Sequence, residues 1–142
     1  MTLIDRAVAT STKAAESDVN ALIDAFSEAV HARDLASSLR LLAEADDIAV
    51  IPSEGVDIHR GPASVRAFFE RIYNRPQRYG WRWDDRWISF ESGVASFVLV
   101  GSETVEEATD SHIVPYCMTG VAVLTSTGWR LRLLHGSEAQ QT

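Results

Sequence analysis

Cysteine and lysine are nearly absent from this chain of 142 residues, in which Cys117 is the only cysteine and Lys13 the only lysine. A single cysteine excludes an internal disulfide and a zinc site made of several cysteines. It is also typical of proteins that work in a reducing compartment. The first residues carry Asp5 and Arg6 and lack a long apolar run, so no secretory signal is predicted. We therefore expect a cytoplasmic protein.

Long apolar runs and an excess of positive charge are lacking as well. No stretch is long enough to predict a membrane-spanning helix, so we expect no membrane partner. The 20 acidic residues outnumber the 13 lysines and arginines, which gives a net charge of −7. Nucleic-acid binding depends on clustered basic side chains that displace counterions. The arginines of residues 71–86 are interleaved with Asp84 and Asp85, as on a solvated, salt-bridged surface, so no nucleic-acid partner is predicted.

Motifs for metals, nucleotides and activated serines are also absent. The histidines show no metal-ligand spacing such as H-E-x-x-H. The chain has neither the G-x-G-x-x-G loop of dinucleotide binding nor the G-x-S-x-G turn of serine hydrolases. No histidine stands at a spacing from Cys117 that indicates a reactive thiol. We therefore predict no metal and no cofactor, and exclude zinc, nucleotide and hydrolase chemistry.

What is present is the pattern of one ordinary globular domain, with 46% hydrophobic and 23% charged residues. Residues 17–33 carry apolar side chains at helical spacing. A second short helix follows Asp34 as its N-cap, and Gly61-Pro62 opens a third helix. An acidic loop is predicted over residues 103–110. Runs with the pattern of strands cover residues 48–51, 56–59, 78–90, 94–102, 112–124 and 129–135.

This order of elements predicts an α+β fold. Three helices from the N-terminal half are expected to pack on a strongly curved, mostly antiparallel sheet. A sheet that wraps around helices forms a cone, and the interior of the cone is the natural place for a ligand pocket. We predict the domain over residues 17–137, after a flexible lead-in at residues 1–16 and before a tail at residues 138–142.

Several short segments carry a resemblance to a known group of proteins. Residues 60–69 have the form R-G-x-x-x-[IV]-R-x-F-F at the start of the third helix, and Gly128-Trp129-Arg130-Leu131 leads to His135-Gly136-Ser137 in the last strand. The other matching segments are residues 32–35, 42–51 and 118–121. Together they resemble the SnoaL-like branch of the nuclear transport factor 2-like superfamily, which includes polyketide cyclases and ketosteroid isomerases.

The resemblance implies the cone fold over residues 17–137 and a homodimer formed through the outer face of the sheet. We expect Arg130 and Arg132 on that face, where they could meet acidic side chains of a second copy. Ketosteroid isomerases use a carboxylate base, a tyrosine and a protonated acid. The corresponding positions fall on Pro52, on Phe26 and near Thr119 and Gly120, so ketosteroid isomerase chemistry is not expected.

His135 is the best candidate for a catalytic residue. Regular alternation along the last strand places Trp129, Leu131, Leu133 and His135 on one face, which we expect to line the cone. A histidine there can act as a general acid or base, because its unperturbed pKa is about 6.5. Two alternatives remain open: a histidine that contacts the ligand without catalysis, and a histidine that only closes the cavity floor.

Aromatic and apolar side chains are expected to bind the ligand. Trp81, Trp83 and Trp87 share one predicted strand, where they form either a pocket wall, a packed core or a dimer interface. Asp57 and His59 fit an exposed edge strand better than a catalytic pair. The predicted ligand-binding residues are Phe26, Phe69, Tyr73, Trp83, Tyr116, Met118 and Trp129.

Two functions remain open. One is an isomerase, cyclase or hydratase that acts on an aromatic or polyketide-like small molecule, with His135 transferring the proton. The other is a non-catalytic ligand-binding or protein-association module. A titratable group buried in the pocket favours the enzyme. A cavity filled by the protein's own side chains favours association.

Overall fold

The computed structural model describes residues 2–139, without the side chains of residues 3–11. The three helices are α1 (Leu3–His31), α2 (Leu35–Arg40) and α3 (Gly61–Tyr73). The six strands are β1 (Ala49–Ile51), β2 (His59–Arg60), β3 (Arg78–Glu91), β4 (Val94–Glu106), β5 (Ser111–Thr125) and β6 (Gly128–Glu138). This order matches the predicted order of elements.

Helix α1 begins well before the predicted start at residue 17. The segment of residues 3–16 contains several alanines and neither glycine nor proline, so it continues the helix without an apolar stripe of its own. The predicted lead-in is therefore helical from Leu3 onward. The domain boundaries at residues 17 and 137 stay predictions, and residues 140–142 of the predicted tail lie outside the described residues.

The short helices begin as the sequence predicts. Asp34 caps α2, because its Oδ1 accepts a hydrogen bond from the backbone N–H of Ser37 at 3.0 Å. Hydrogen bonds from the Ser37 hydroxyl and backbone hold the pKa of Asp34 below its ordinary value. Helix α3 begins at Gly61, whose φ of +82° suits a residue without a Cβ, and Pro62 follows in the first turn.

The strands form one sheet in the order β2-β1-β6-β5-β4-β3. All neighbours are antiparallel except β1 and β6, which are parallel. Helix α1 packs against β3 and β6 on the inner face of the sheet, and α3 packs against β1 and β2. The fold is thus α+β with three helices on a mostly antiparallel sheet, as predicted. The buried core between the layers includes Ile23, Phe26, Val65, Phe69, Phe97, Leu99, Met118 and Leu131.

Two predicted boundaries are wrong. Strands β4 and β5 stay paired out to Glu106 and Ser111, so the acidic loop predicted from residue 103 begins only after residue 106. The segment between β1 and β2 covers residues 52–58, and β2 itself begins at His59 rather than at residue 56. Strand patterns alone did not locate these ends, because polar residues can lie in paired strands.

Two β-bulges bend the sheet and reverse the alternation of side chains. In β3 the register shifts between Trp83 and Asp85, opposite Gly101 of β4. In β6 Arg132 is the extra residue, because Ala122 pairs with Leu131 while Val121 pairs with Leu133. Each extra residue turns the following side chains to the other face and increases the local twist. These bulges decide which side chains reach the interior.

Among the described residues, no helix combines the length and apolar character that crossing a membrane requires.

Candidate active site

A cavity of about 180 Å³ lies between α1, α3 and the inner face of the sheet. Its floor and walls are mainly aromatic and aliphatic. Its polar groups come from the strands β2 to β5, from the end of α3 and from the segment of residues 52–58. The inner wall is formed by Phe26, Phe69, Trp81, Glu103, Tyr116 and Met118. The cavity is therefore an apolar pocket with a small number of polar groups, as is usual for small-molecule sites.

Glu103 is the central polar group of this cavity. The side chain comes from β4, follows the inward positions of Phe97, Leu99 and Gly101, and is only 5% exposed. The indole N–H of Trp81 donates a hydrogen bond to Glu103 Oε2 at 2.8 Å. Burial raises the pKa of Glu103 from 4.5 to about 7, although the Trp81 hydrogen bond opposes the rise. At neutral pH both its acid and its base form are therefore populated.

Trp81 joins the aromatic rings of the cavity into one wall. Its ring stacks on Phe26 with centroids 6.0 Å apart, and on Tyr116 with centroids 6.1 Å apart. On its other side it stacks on Trp83 at 5.9 Å. Since each ring restrains the next, the wall holds the Trp81 N–H in position beside Glu103.

Tyr116 places a hydroxyl group in the same cavity. Strand β5 directs this side chain inward over Gly136 of β6, and a Cβ at residue 136 would overlap the Tyr116 hydroxyl. Burial raises the pKa of Tyr116 above its ordinary value, and the charge of Glu103 adds to the rise. Tyr116 therefore remains a neutral hydrogen-bond donor at physiological pH.

Charged side chains surround the mouth of the cavity. Arg75 Nη1 donates to Glu54 Oε2 at 3.1 Å and to the Tyr79 hydroxyl at 3.2 Å. Glu54 belongs to the segment of residues 52–58, so this ion pair ties that segment to the end of α3. His59 and Arg71 both lie over the ring of Phe68, at 4.7 Å and 5.8 Å from its centroid. The mouth is thus polar while the interior is apolar.

Tyr73 is held in the wall by a buried hydrogen-bond network. The Ser38 hydroxyl donates to the Asp34 carbonyl at 2.7 Å and lies 2.6 Å from the Tyr73 hydroxyl. Ser38 is fully buried. Burial raises the pKa of Tyr73 to about 12, although the Ser38 hydrogen bond opposes the rise. The network joins α2 to α3 and fixes the Tyr73 ring.

The structure brings together most of the predicted ligand-binding residues. Phe26, Phe69, Tyr73, Tyr116 and Met118 line the cavity. Trp83 and Trp129 do not line it. Trp83 lies behind the cavity wall, where its ring packs on Trp81 and Tyr116 and its N–H donates to Ser27 Oγ at 3.2 Å.

Trp129 packs on Phe90, with ring centroids 5.9 Å apart, and it is buried away from the cavity. It comes from the far end of β6, close to the turn that joins β5 and β6. The predicted positions of Trp83 and Trp129 in the ligand pocket are therefore wrong. Both residues are inward-facing, as the alternation predicts, but each lies too far along its strand to reach the cavity.

The predicted position of His135 inside the cone is also wrong. The bulge at Arg132 reverses the alternation of β6, so Leu134 and Gly136 point inward while His135 is exposed. His135 pairs with Thr119, which is likewise exposed on the outer face. A side chain in this position does not reach a ligand in the cavity.

The remaining charged candidates lie outside the cavity interior. Asp84 and Asp85 are both exposed, and Asp84 accepts from Arg82 Nε at 3.1 Å, which fits the predicted solvated surface. Asp57 is exposed in the segment of residues 52–58 and lines only the mouth, near His59. Among the described residues, no group of at least three His, Cys, Asp or Glu side chains is arranged to hold a metal ion.

Sequence reasoning missed Glu103, although a signal for it was present. Residues 95, 97 and 99 alternate as buried positions of β4, and the same alternation continues through residues 101, 103 and 105. The sequence predicts the end of this strand at residue 102, because the acidic residues that follow are typical of a loop. Continuing the period of two would have placed one carboxyl inside the pocket.

These features define an α+β cone with an inner pocket. Residues 19–141 match the family model of the SnoaL-like domain. The chain therefore belongs to the SnoaL-like domain family. A comparison with curated protein sequences found no match.

Solved structures confirm the fold at low sequence identity. A Streptomyces avermitilis protein named "putative dehydratase from the NTF2-like family" is 17% identical, covers 91% of this chain and 99% of its own, and has a TM-score of 0.81. A Salmonella enterica protein named "nuclear transport factor 2 (NTF2-like) superfamily protein" is 15% identical and has a TM-score of 0.80. The match covers 92% of this chain and 95% of that one.

A Thiobacillus denitrificans protein named "putative calcium/calmodulin-dependent protein kinase type II association domain" is 21% identical, with a TM-score of 0.68. The match covers 85% of this chain and 94% of that one. At these identities the likeness concerns the fold alone.

Proposed function

We propose that this protein binds a small, mostly apolar ring compound in the cavity and catalyses proton transfer on it, as isomerases, cyclases and dehydratases do. The observation that carries this proposal is Glu103, a carboxyl group 5% exposed that faces the cavity and has a pKa raised to about 7. A general acid or base works best when its pKa is close to the operating pH. Glu103 takes the role that His135 cannot fill from the outer face.

The size of the cavity supports a ligand with a single ring. An apolar protein cavity of about 150 Å³ is known to hold benzene. The cavity of this protein measures about 180 Å³ and opens at a polar mouth, so it has room for one ring with a short polar substituent. Apolar walls that exclude water also strengthen the electrostatic interactions of the few polar groups inside.

The other polar groups of the cavity fit the same chemistry. The Trp81 N–H orients the carboxyl group of Glu103 through Oε2, and a side-chain hydrogen bond with Glu138 favours its protonated form. Neutral Tyr116 can donate a hydrogen bond to an oxygen atom on which negative charge develops during the reaction. The dehydratase name of the Streptomyces avermitilis protein agrees with such a reaction, while the shared fold by itself supports only the scaffold.

Deuterium exchange into acetophenone tests the proposal, because removal of a methyl proton beside the carbonyl is a proton transfer on a single-ring compound. We expect the protein to accelerate exchange in D₂O, and we expect Glu103→Gln to lower the acceleration by about 10²–10⁴. Glu107→Gln is the matched control, since Glu107 is exposed just after the end of β4. His135→Ala is the control for the sequence-based prediction, and both controls should retain the wild-type rate.

A Glu103→Gln variant that exchanges as fast as the wild type would refute the role of Glu103. Ligand binding without any acceleration of exchange would instead support the non-catalytic binding module. NMR detects exchange and binding in the same sample, so the two outcomes are separable.

A homodimer is the second part of the proposal. Trp87, Val98, Thr119 and His135 pair in one row across β3, β4, β5 and β6 on the outer face. Trp87 is 58% exposed and the neighbouring Val100 is 45% exposed. A sheet face with exposed apolar side chains can pack against a copy of itself.

The charge argument for this dimer is weakened for one of the two arginines. Arg132 forms an ion pair with Asp47 of its own chain. Arg130 donates to the backbone carbonyls of Thr127 and Trp129, which do not neutralise its charge. The proposed interface therefore depends mainly on the exposed Trp87 and Val100. A cytoplasmic location stays a prediction from the cysteine content.

A further inference from the structure

Two carboxylates from neighbouring elements act on Glu103. They are Glu54, from the segment of residues 52–58, and Glu138, from the end of β6. Both charges raise the pKa of Glu103. The Ser53 hydroxyl donates to Glu138 Oε1 at 3.4 Å, so these groups converge on one side of the cavity. A buried carboxylate normally has a cationic partner, whereas the hydrogen-bond partners of Glu103 are the indole N–H of Trp81 and the carboxyl group of Glu138.

The arginines and the histidine of the mouth do not neutralise this group. Arg75 is engaged by Glu54 and by the Tyr79 hydroxyl. Arg71 lies over the ring of Phe68, which His59 stacks on as well. Arg71 is exposed and Arg75 and His59 are half-buried, whereas Glu103 is only 5% exposed beside Trp81. The interior of the cavity is therefore negative when Glu103 is ionised.

The aromatic walls have the same electrostatic preference. The faces of aromatic rings carry partial negative charge and attract cations within about 6 Å of the ring centroid. Trp81, Tyr116, Phe26 and Phe69 surround the space beside Glu103. Rings of this kind around a carboxylate form a site for an ammonium group, while the same surroundings repel a carboxylate ligand.

We infer that the ligand of this cavity carries a protonated amine on its ring or on a short side chain. The inference rests on the proposed function, because it assumes that the cavity is the ligand site. An ammonium group beside Glu103 favours the ionised carboxylate, so the ligand itself would convert this residue into the form that acts as a base. The amine and the apolar ring together give the ligand class as a small aromatic or alicyclic amine.

Three ring compounds of similar size test the charge preference: benzylamine, benzyl alcohol and benzoate. Binding is followed by NMR titration, with the indole N–H signal of Trp81 as the reporter because that N–H contacts Glu103 directly. We expect benzylamine to bind at least about tenfold more tightly than benzyl alcohol at pH 8. We expect benzoate to bind most weakly.

The variants separate the contribution of Glu103 from the rest of the site. Glu103→Gln should remove the preference for benzylamine while benzyl alcohol still binds. Glu107→Gln should keep the preference, since Glu107 is exposed and lies outside the cavity. In the wild type the affinity for benzylamine should rise by up to about tenfold per pH unit below pH 7 and level off above, because binding then releases the proton of Glu103.

Each outcome decides the question. Equal affinity for benzylamine and benzyl alcohol, tighter binding of benzoate, or an unchanged preference in Glu103→Gln overturns the inference. If benzyl alcohol shifts the Trp81 signal in those cases, the cavity remains a ligand site and the proposed function stands. If none of the three compounds shifts it, both proposals fail.

Discussion

Titration of Glu103 should make the free energy of unfolding of this protein depend strongly on pH. Its pKa is raised from 4.5 in the unfolded chain to about 7 in the folded protein, mainly because burial disfavours the charged form. Between these two values the folded state binds a proton that the unfolded state has already released. The free energy of unfolding must therefore decrease as the pH rises through this window, and Glu103 contributes no further change above it.

The change that tests this point is Glu103→Gln. From pH 4.5 to pH 7 the wild type should lose roughly 3 kcal/mol of stability through this residue, since one pKa unit corresponds to about 1.4 kcal/mol. The glutamine variant should lack this decrease, because an amide does not ionise. Urea unfolding at several pH values measures the effect, and Glu107→Gln should behave like the wild type. If the stabilities of Glu103→Gln and Glu107→Gln changed with pH in the same way, the raised pKa of Glu103 would be contradicted.

At the scale of elements, the bulges determine the shape of the pocket. The bulge in β3 brings the backbone of Arg82 and Trp83 close to Gly101 of β4. A Cβ at residue 101 would overlap the carbonyl oxygen of Arg82, and these backbone atoms are held by the paired strands. Glycine is therefore required at this position for close approach rather than for an unusual φ.

We expect Gly101→Ala to destabilise the protein by about 3 kcal/mol or to prevent folding, because the clash is with backbone atoms. Gly80→Ala on β3 is the matched control. A Cβ there would lie 3.2 Å from Cδ2 of His31, and that side chain is partly exposed and can move. The control should cost about 0.5 kcal/mol or less. Similar urea midpoints for the two variants would show that the bulge tolerates a side chain.

At the scale of the whole molecule, the two faces of the sheet have different roles. The inner face packs against α1 and α3 and encloses the cavity. The outer face carries Trp87 and Val100 in the open, at 58% and 45% exposure. Exposed apolar side chains on a paired sheet favour association, because a second copy would remove them from water.

A single aspartate on the outer face should separate the proposed dimer. We expect light scattering to give twice 15.7 kDa for the wild type and 15.7 kDa for Val100→Asp. The substitution should leave the fold of each protomer intact, because the side chain of Val100 is exposed in the single chain. Val56→Asp is the control, since Val56 is 93% exposed in the segment of residues 52–58. A wild type of 15.7 kDa at micromolar concentration would refute the dimer.

Much of the architecture follows from local sequence patterns. The helical stripe from residue 19 to residue 30, the Asp34 cap and the Gly61-Pro62 helix start lie where the sequence predicts them. These signals are local, because each depends on residues within a few positions along the chain. Five of the predicted pocket residues, Phe26, Phe69, Tyr73, Tyr116 and Met118, also reach the cavity, since their strand or helix faces follow from regular periodicity.

The sequence by itself thus determined the order of elements, the α+β class and the apolar nature of the pocket. The tertiary structure decided which polar group enters it. One extra residue in β6 turns His135 outward, and a bulge depends on pairing with β5 that a single strand pattern does not contain. The raised pKa of Glu103 depends on burial among side chains from separate elements, including Trp81, Glu54 and Glu138. Such groups meet only in the folded chain, and their meeting sets the chemistry of the site.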